Sequence, residues 1–75
     1  MKKYRDQDAK LMARFVENVQ VRMKKLDMTR LELAERSDVP QSNICGILKH
    51  KHIPTITTAN RLANALGVDL QDLLK

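Results

Sequence analysis

The side chains of this sequence that are best able to do chemistry are few and lie close together. Cys45, His50 and His52 bring one thiol and two imidazoles into a stretch of eight residues, and both groups are preferred zinc ligands. Their spacing matches no zinc finger and no fourth ligand is evident, so we predict no metal site and no cofactor. No nucleophile and base can be paired among these residues and the carboxylates, so we do not expect an enzyme.

A second polar cluster, Gln41-Ser42-Asn43, suits recognition better than catalysis. Pro40 restricts Val39 to extended conformations and presets its own φ for a helix start, which predicts a helix from about Gln41 to Lys49. Amides and hydroxyls in the first turn of a helix match the donors and acceptors of base edges in the major groove, and free backbone amides there favour phosphate. The cluster therefore points to double-stranded DNA.

A long first helix is predicted from Asp8 to Leu26, because apolar residues recur there at steps of three and four. Its inward face is expected to hold Leu11, Met12, Phe15, Val16, Val19, Met23 and Leu26. Arg22 is assigned, with other charged residues, to the solvated outer face.

Capping signals predict the remaining elements. Thr29 and Glu32 form a capping box that begins a second helix, which ends near Ser37 with Asp38 in a left-handed turn. Thr55 caps a fourth helix from Ile56 to Leu66, ended by Gly67, and Asp69 caps a short fifth helix. We therefore predict an all-α, compact five-helix domain over residues 8–75, preceded by a flexible basic arm over residues 1–7.

Composition agrees with this assignment. A chain of 75 residues is one small domain, and its formal charge of +5 favours a polyanionic partner. The charge is concentrated in residues 1–25, which hold eight Lys or Arg against three Asp or Glu. With a single cysteine and no long apolar run, the expected location is the cytoplasm, with no membrane partner.

Two short helices joined by a turn of about three residues have the geometry of a helix-turn-helix, here centred on residues 29–49. Over roughly residues 16–74 the sequence resembles the lambda-repressor/Cro-like (Xre-type) helix-turn-helix DNA-binding family. The segments that carry the resemblance are Arg22 to Thr29, Leu33-Ala34-Glu35-Arg36, Val39 to Ile47, Pro54-Thr55 and Leu62 to Val68.

The resemblance implies which residues meet DNA. Gln41, Ser42 and Asn43 align with positions that contact bases or nearby phosphates, and Gly46 with a base-contacting position one turn later. Glycine inside a helix costs about 0.5–1 kcal/mol relative to alanine, so we expect either close packing or close approach to a ligand at Gly46. In the second case it would let the helix sit deeper in the groove, with DNA shape contributing to readout.

The basic residues near this helix are assigned to the DNA backbone by the same resemblance. Lys49 and Lys51 match positions that touch phosphates, and Arg30, which replaces the family's usual Gln, is expected to clamp a phosphate.

Three further departures from the family pattern lead to local expectations. Asp38 and His50 replace glycines, and each is expected to add about 1 kcal/mol of strain. Met23 and Leu48 stand where some members place an Arg and a Glu, so we expect an apolar contact there instead of an ion pair.

The expected function is a sequence-specific transcriptional regulator, a repressor that binds a palindromic operator as a homodimer. The candidate dimer contacts are Val68, Leu70, Leu73 and Leu74, whose alternative role is to close the core. Two rival functions stay open: an antitoxin-type protein-interaction module that also binds DNA, and an accessory or architectural domain with little sequence preference.

Overall fold

The structure, a computed structural model, describes the backbone of residues 6–75, which form four α-helices and one short 3-10 helix. These are α1 (Asp6–Lys25), α2 (Arg30–Ser37), α3 (Gln41–Leu48), α4 (Ile56–Ala65) and the 3-10 helix η1 (Leu70–Leu73). The predicted all-α class is confirmed over this range, where no strand occurs, but the fifth helix is a single 3-10 turn. The predicted arm over residues 1–7 lies outside the described residues, except that Asp6 and Gln7 belong to α1.

The core is aliphatic and is shared by all the helices. Its most deeply buried large side chains are Val19, Leu33, Ile44, Leu62 and Leu66. Helix α2 packs against α3 and α4, while η1 packs against α1 and α4. Burial of this apolar surface supplies the main driving force for folding. The buried side chains are mainly aliphatic because the chain has few aromatic residues.

Most of the predicted inward face of α1 is buried, but its two end members are not. Leu11 is 44% exposed and Leu26 is 42% exposed, whereas Met12, Phe15 and Val19 are buried. Leu11 lies at the edge of the stripe that faces the core, and Leu26 follows the last helical residue, where the helical period no longer sets direction.

The predicted N-terminal caps of α2 and α4 are confirmed. The Thr29 hydroxyl accepts a hydrogen bond from the Glu32 amide at 3.1 Å, and Glu32 Oε1 accepts from the Thr29 amide at 3.1 Å, which completes the capping box of α2. The Thr55 hydroxyl accepts from the Thr58 amide at 3.1 Å at the start of α4. These bonds set the first turns of both helices.

Each α-helix is followed by a residue in the left-handed conformation. These residues are Asp27, Asp38, His50 and Gly67, with φ of 54°, 59°, 62° and 74°. After α3, the His50 amide donates to the Ile47 carbonyl at 3.0 Å and the Lys51 amide donates to the Gly46 carbonyl at 2.8 Å. This pair of bonds is a Schellman motif, and it turns the chain back over the end of α3.

Replacing His50 with Gly is expected to raise the free energy of unfolding by about 1 kcal/mol, because a left-handed φ strains a residue that has a Cβ and does not strain glycine. The measurement is the urea unfolding curve at equilibrium. The matched control is Lys49→Gly, since Lys49 has φ of −93° and gains no relief of strain. Equal effects of the two substitutions would contradict the assignment of strain to His50.

Two polar side chains of α1 tie the end of the chain to the domain. Arg22, expected on the solvated outer face, is partly buried, and its Nε donates to the Leu66 carbonyl at 2.9 Å, at the end of α4. Asn18 Nδ2 donates to the Leu73 carbonyl at 2.9 Å. Both acceptors are helix-end carbonyls that have no partner within their own helix, so these side chains stabilise the C-terminal third of the fold.

Beyond η1, Lys75 Nζ lies 3.2 Å from Asp72 Oδ1. The hydrogen bond from Lys75 lowers the pKa of the Asp72 carboxyl below its ordinary value, with help from the Asp69 amide. The pair is exposed, and we assign it no part in the site described next.

Candidate nucleic-acid interface

Helices α2 and α3 are joined by the three residues Asp38, Val39 and Pro40, as the sequence predicts. The Asp38 amide donates to the Ala34 carbonyl at 3.0 Å, so the turn begins directly on the last turn of α2. Val39 is 4% exposed, and its amide donates to the buried Ser37 hydroxyl at 3.3 Å. The turn is therefore anchored to the core, and the angle between α2 and α3 is fixed by packing.

Helix α3 has one face in the core and one face in solvent. Ile44, Ile47 and Leu48 are buried, which confirms the predicted inward face. Gln41, Ser42 and Asn43 are exposed in its first turn. No described side chain caps this turn, and the Asn43 amide donates to the Pro40 carbonyl at 3.0 Å, so the amides of Gln41 and Ser42 are the ones open to an outside acceptor such as a phosphate oxygen.

Three basic residues border the exposed side of α3. Arg30 is the first residue of α2, and its Nη1 lies 3.7 Å from Cys45 Sγ, so the guanidinium extends across to α3. Lys49 and Lys51 are exposed in the turn after α3. We call the exposed residues Arg30, Gln41, Ser42, Asn43, Lys49 and Lys51 the reading surface; together they offer polar groups flanked by cations.

Gly46, at the centre of this surface, is closely packed, which is one of the two alternatives expected for it. It is buried although it lies roughly 200° around the helix from Ile44 and Leu48, on the solvent side with Ser42 and Lys49. A Cβ added to Gly46 would overlap Cδ2 and Nε2 of the His52 ring. The imidazole therefore occupies the space beside Gly46.

The family's ion-pair positions are apolar here and both are buried. Met23 is 8% exposed and Leu48 is 7% exposed, and they belong to one core cluster. Their burial is consistent with the expected apolar contact. It packs the end of α1 against α3 without burying a charge.

The four predicted dimer contacts do not share one environment. Leu73 is 2% exposed and belongs to the core, which was its alternative role. Val68, Leu70 and Leu74 are partly buried and pack against that core.

Leu70 and Leu74 also line an apolar groove of about 410 Å³, together with Leu11 and Ile56. Ile56 is 81% exposed at the first position of α4.

The sequence reasoning missed two parts of this surface. The sequence suggested for His52 only a zinc ligand, which was set aside, and nothing in the helical spacing placed its ring over Gly46. Leu11, Ile53 and Ile56 form exposed apolar surface that the search for a dimer contact overlooked. Helical spacing gives no signal for the exposure of Ile56, because this residue stands three positions before Ala59 and in line with the buried stripe of α4.

Two further observations concern the described residues alone. Among them, no group of three or more His, Cys, Asp or Glu side chains is placed to hold a metal ion. None of the helices in residues 6–75 has the length and hydropathy needed to cross a membrane.

Comparison with known proteins adds one finding. A family model described as helix-turn-helix matches residues 20–73, a range that covers the end of α1 and all of α2, α3, α4 and η1. No curated protein and no solved structure matches the chain significantly.

Proposed function

This chain belongs to the lambda-repressor-like (Xre-type) helix-turn-helix family, and from that membership we propose that it is a sequence-specific transcriptional regulator acting on double-stranded DNA. The observation that carries the proposal is the exposed first turn of α3, where Gln41, Ser42 and Asn43 stand on a helix whose other face is locked into the core. A rigid helix that presents polar groups at its N-terminus is suited to the major groove.

In this assignment the first turn of α3 reads bases. The amides of Gln41 and Asn43 can each donate and accept at once, which matches the N6 and N7 groups of adenine, and the Ser42 hydroxyl can pair with either kind of edge. Arg30, Lys49 and Lys51 contact phosphates and set the position of α3 along the duplex. Specificity and affinity are thus carried by different residues of the reading surface.

We propose a repressor that binds a palindromic operator as a homodimer in the cytoplasm. A single α3 covers too few base pairs for useful specificity, and a two-fold dimer doubles the readout on two half-sites about one helical turn apart. We assign repression because the simplest action of a small DNA-bound domain is to block access to a promoter.

For the dimer contact we propose Leu70 and Leu74, extended by Leu11 and Ile56. These side chains line the apolar groove, and Leu11 and Ile56 are exposed there. Exposed apolar surface of this kind is typical of contacts with another protein, here a second copy of the chain. Leu73 is not part of this contact because its side chain is already buried.

Selection of bound sequences from random duplex DNA tests the proposal. We expect a palindromic motif, whose two half-sites report a dimer. Gln41→Ala is expected to relax the preference at one base pair of each half-site by about 1–3 kcal/mol, because the substitution removes a hydrogen-bonding side chain from a base edge. The control is Gln20→Ala, an exposed glutamine on α1 that should leave the motif unchanged.

Failure to select any motif would overturn sequence-specific regulation and favour an architectural domain. A non-palindromic half-site motif would retain DNA reading and overturn the dimer. Recovery of a tight protein complex in place of DNA binding would favour the antitoxin-type alternative.

A further inference from the structure

The position of His52 over Gly46 assigns a role that the family resemblance does not give to either residue. Gly46 lies on the solvent side of α3, four residues after Ser42 and three before Lys49, so all three share one face. Gly46 is nevertheless buried, and the atoms nearest to its missing Cβ all belong to the His52 ring. The ring therefore lies on the exposed side of the recognition helix.

The chain after α3 holds the ring in this place. His50 adopts the left-handed conformation, and the Lys51 amide donates a hydrogen bond of 2.8 Å to the Gly46 carbonyl. This bond holds the chain that follows α3 against the last turn of that helix. His52 is the next residue, and its side chain lies back across the helix. A shallow hollow bordered by Asn43, His52 and Thr58 continues this surface toward the start of α4.

We propose that the His52 imidazole reads a base edge in the major groove, standing in for the side chain that position 46 lacks. This inference rests on the proposed function and adds a specificity-determining residue to it. Each imidazole nitrogen that carries a proton donates one hydrogen bond, and the matching group on DNA is the acceptor edge of a guanine, N7 and O6. The ring contacts the base that a long side chain at position 46 would reach.

The geometry favours this role over a purely structural one. His52 is exposed, so its ring covers Gly46 without being enclosed itself. None of the hydrogen bonds between described side chains and other groups of this chain involves His52. The ring faces Gly46 with Cδ2 and Nε2, so Nδ1 is the nitrogen farther from the helix and more open to DNA. A residue that served only to cover the helix would need no polar edge.

The test is selection from random duplex DNA with the intact chain, followed by titration of the best site and its single-base variants. His52→Ala is expected to flatten the preference at one base pair per half-site by about 3- to 10-fold, the value of a single hydrogen bond. His52→Gln is expected to move that preference from guanine toward adenine, because an amide pairs best with N6 and N7. A merely structural role would not change which base is preferred.

His50→Asn is the matched control. It removes the neighbouring exposed imidazole while keeping a residue type that tolerates the left-handed conformation, and it should leave base preference unchanged. Urea unfolding of every variant confirms that the domain is folded under the binding conditions.

Gly46→Ala provides an independent route to the same result. The added methyl group displaces the His52 ring, which is the free end of a flexible side chain, and alanine favours the helix. We expect Gly46→Ala to lose the same base preference as His52→Ala while keeping its stability. The double variant Gly46→Ala with His52→Ala should lose no further preference.

This inference would be overturned if neither His52→Ala nor Gly46→Ala changed the base preference at any position while Gln41→Ala still relaxed the preference at its own position. The proposed function would then remain intact. Absence of a motif for the unmodified chain would overturn the proposed function and the role of His52 with it.

Discussion

Replacing Leu33 with Ala is expected to lower the free energy of unfolding by about 2–5 kcal/mol. Leu33 is 0% exposed and lies in the middle of α2, the helix that packs against both α3 and α4. Truncation removes buried apolar surface and leaves a cavity that neighbouring side chains fill only partly. A domain of 75 residues has roughly 4–11 kcal/mol of total stability, so this single change removes a large share of it.

The measurement is equilibrium unfolding in urea, monitored by far-ultraviolet circular dichroism. The control is Leu31→Ala, the same substitution two residues earlier on the same helix, where the side chain is 55% exposed. Leu31→Ala should change stability by no more than about 0.5 kcal/mol. Comparable losses for the two variants would mean that α2 does not present Leu33 to the core.

The second large effect is expected from removing the cations of the reading surface together. Each phosphate that is no longer neutralised should reduce the slope of log affinity against log salt by about 0.9, so Arg30→Ala, Lys49→Ala and Lys51→Ala combined should flatten it by up to about 2.7 for each protomer, or about 5.4 for the proposed homodimer. At about 0.1 M salt the affinity should fall by on the order of 10²- to 10³-fold, or about 3–4 kcal/mol, for each protomer. Because phosphate contacts carry no sequence information, preferred and random DNA should lose affinity alike.

Titration of one duplex at several salt concentrations measures this slope. The control variant changes the same net charge through Lys10→Ala, Arg14→Ala and Arg36→Ala, which are exposed and lie outside the reading surface. If the control flattened the slope equally, net charge alone would set the affinity, and the three assigned phosphate contacts would be wrong.

The elements of this fold could be predicted wherever a residue type has a local physical reason to be there. Thr29 and Thr55 accept from amides three residues later, and Asp38 and Gly67 tolerate the left-handed φ that ends a helix. These signals depend only on neighbours in the sequence. The order of helices and the turn between α2 and α3 therefore followed from the chain itself.

Contacts between distant segments could not be predicted in this way. Helical spacing shows that Arg22 is outside the apolar stripe, but not that its guanidinium reaches the end of α4. The place of the His52 ring depends on a left-handed residue, on a hydrogen bond to the Gly46 carbonyl and on a rotamer. Sequence patterns carry none of these three, which is why the scaffold of the site was predicted and the centre of its reading surface was not.

The overlap between position 46 and His52 also constrains how the specificity of this domain can change over generations. A side chain added at position 46 must displace the ring, so the outcome of a substitution there depends on which residue already occupies position 52. The two sites form an epistatic pair in which the order of mutations matters. Libraries that seek new operators should vary both codons together, because scanning either one alone would sample only part of the accessible specificities.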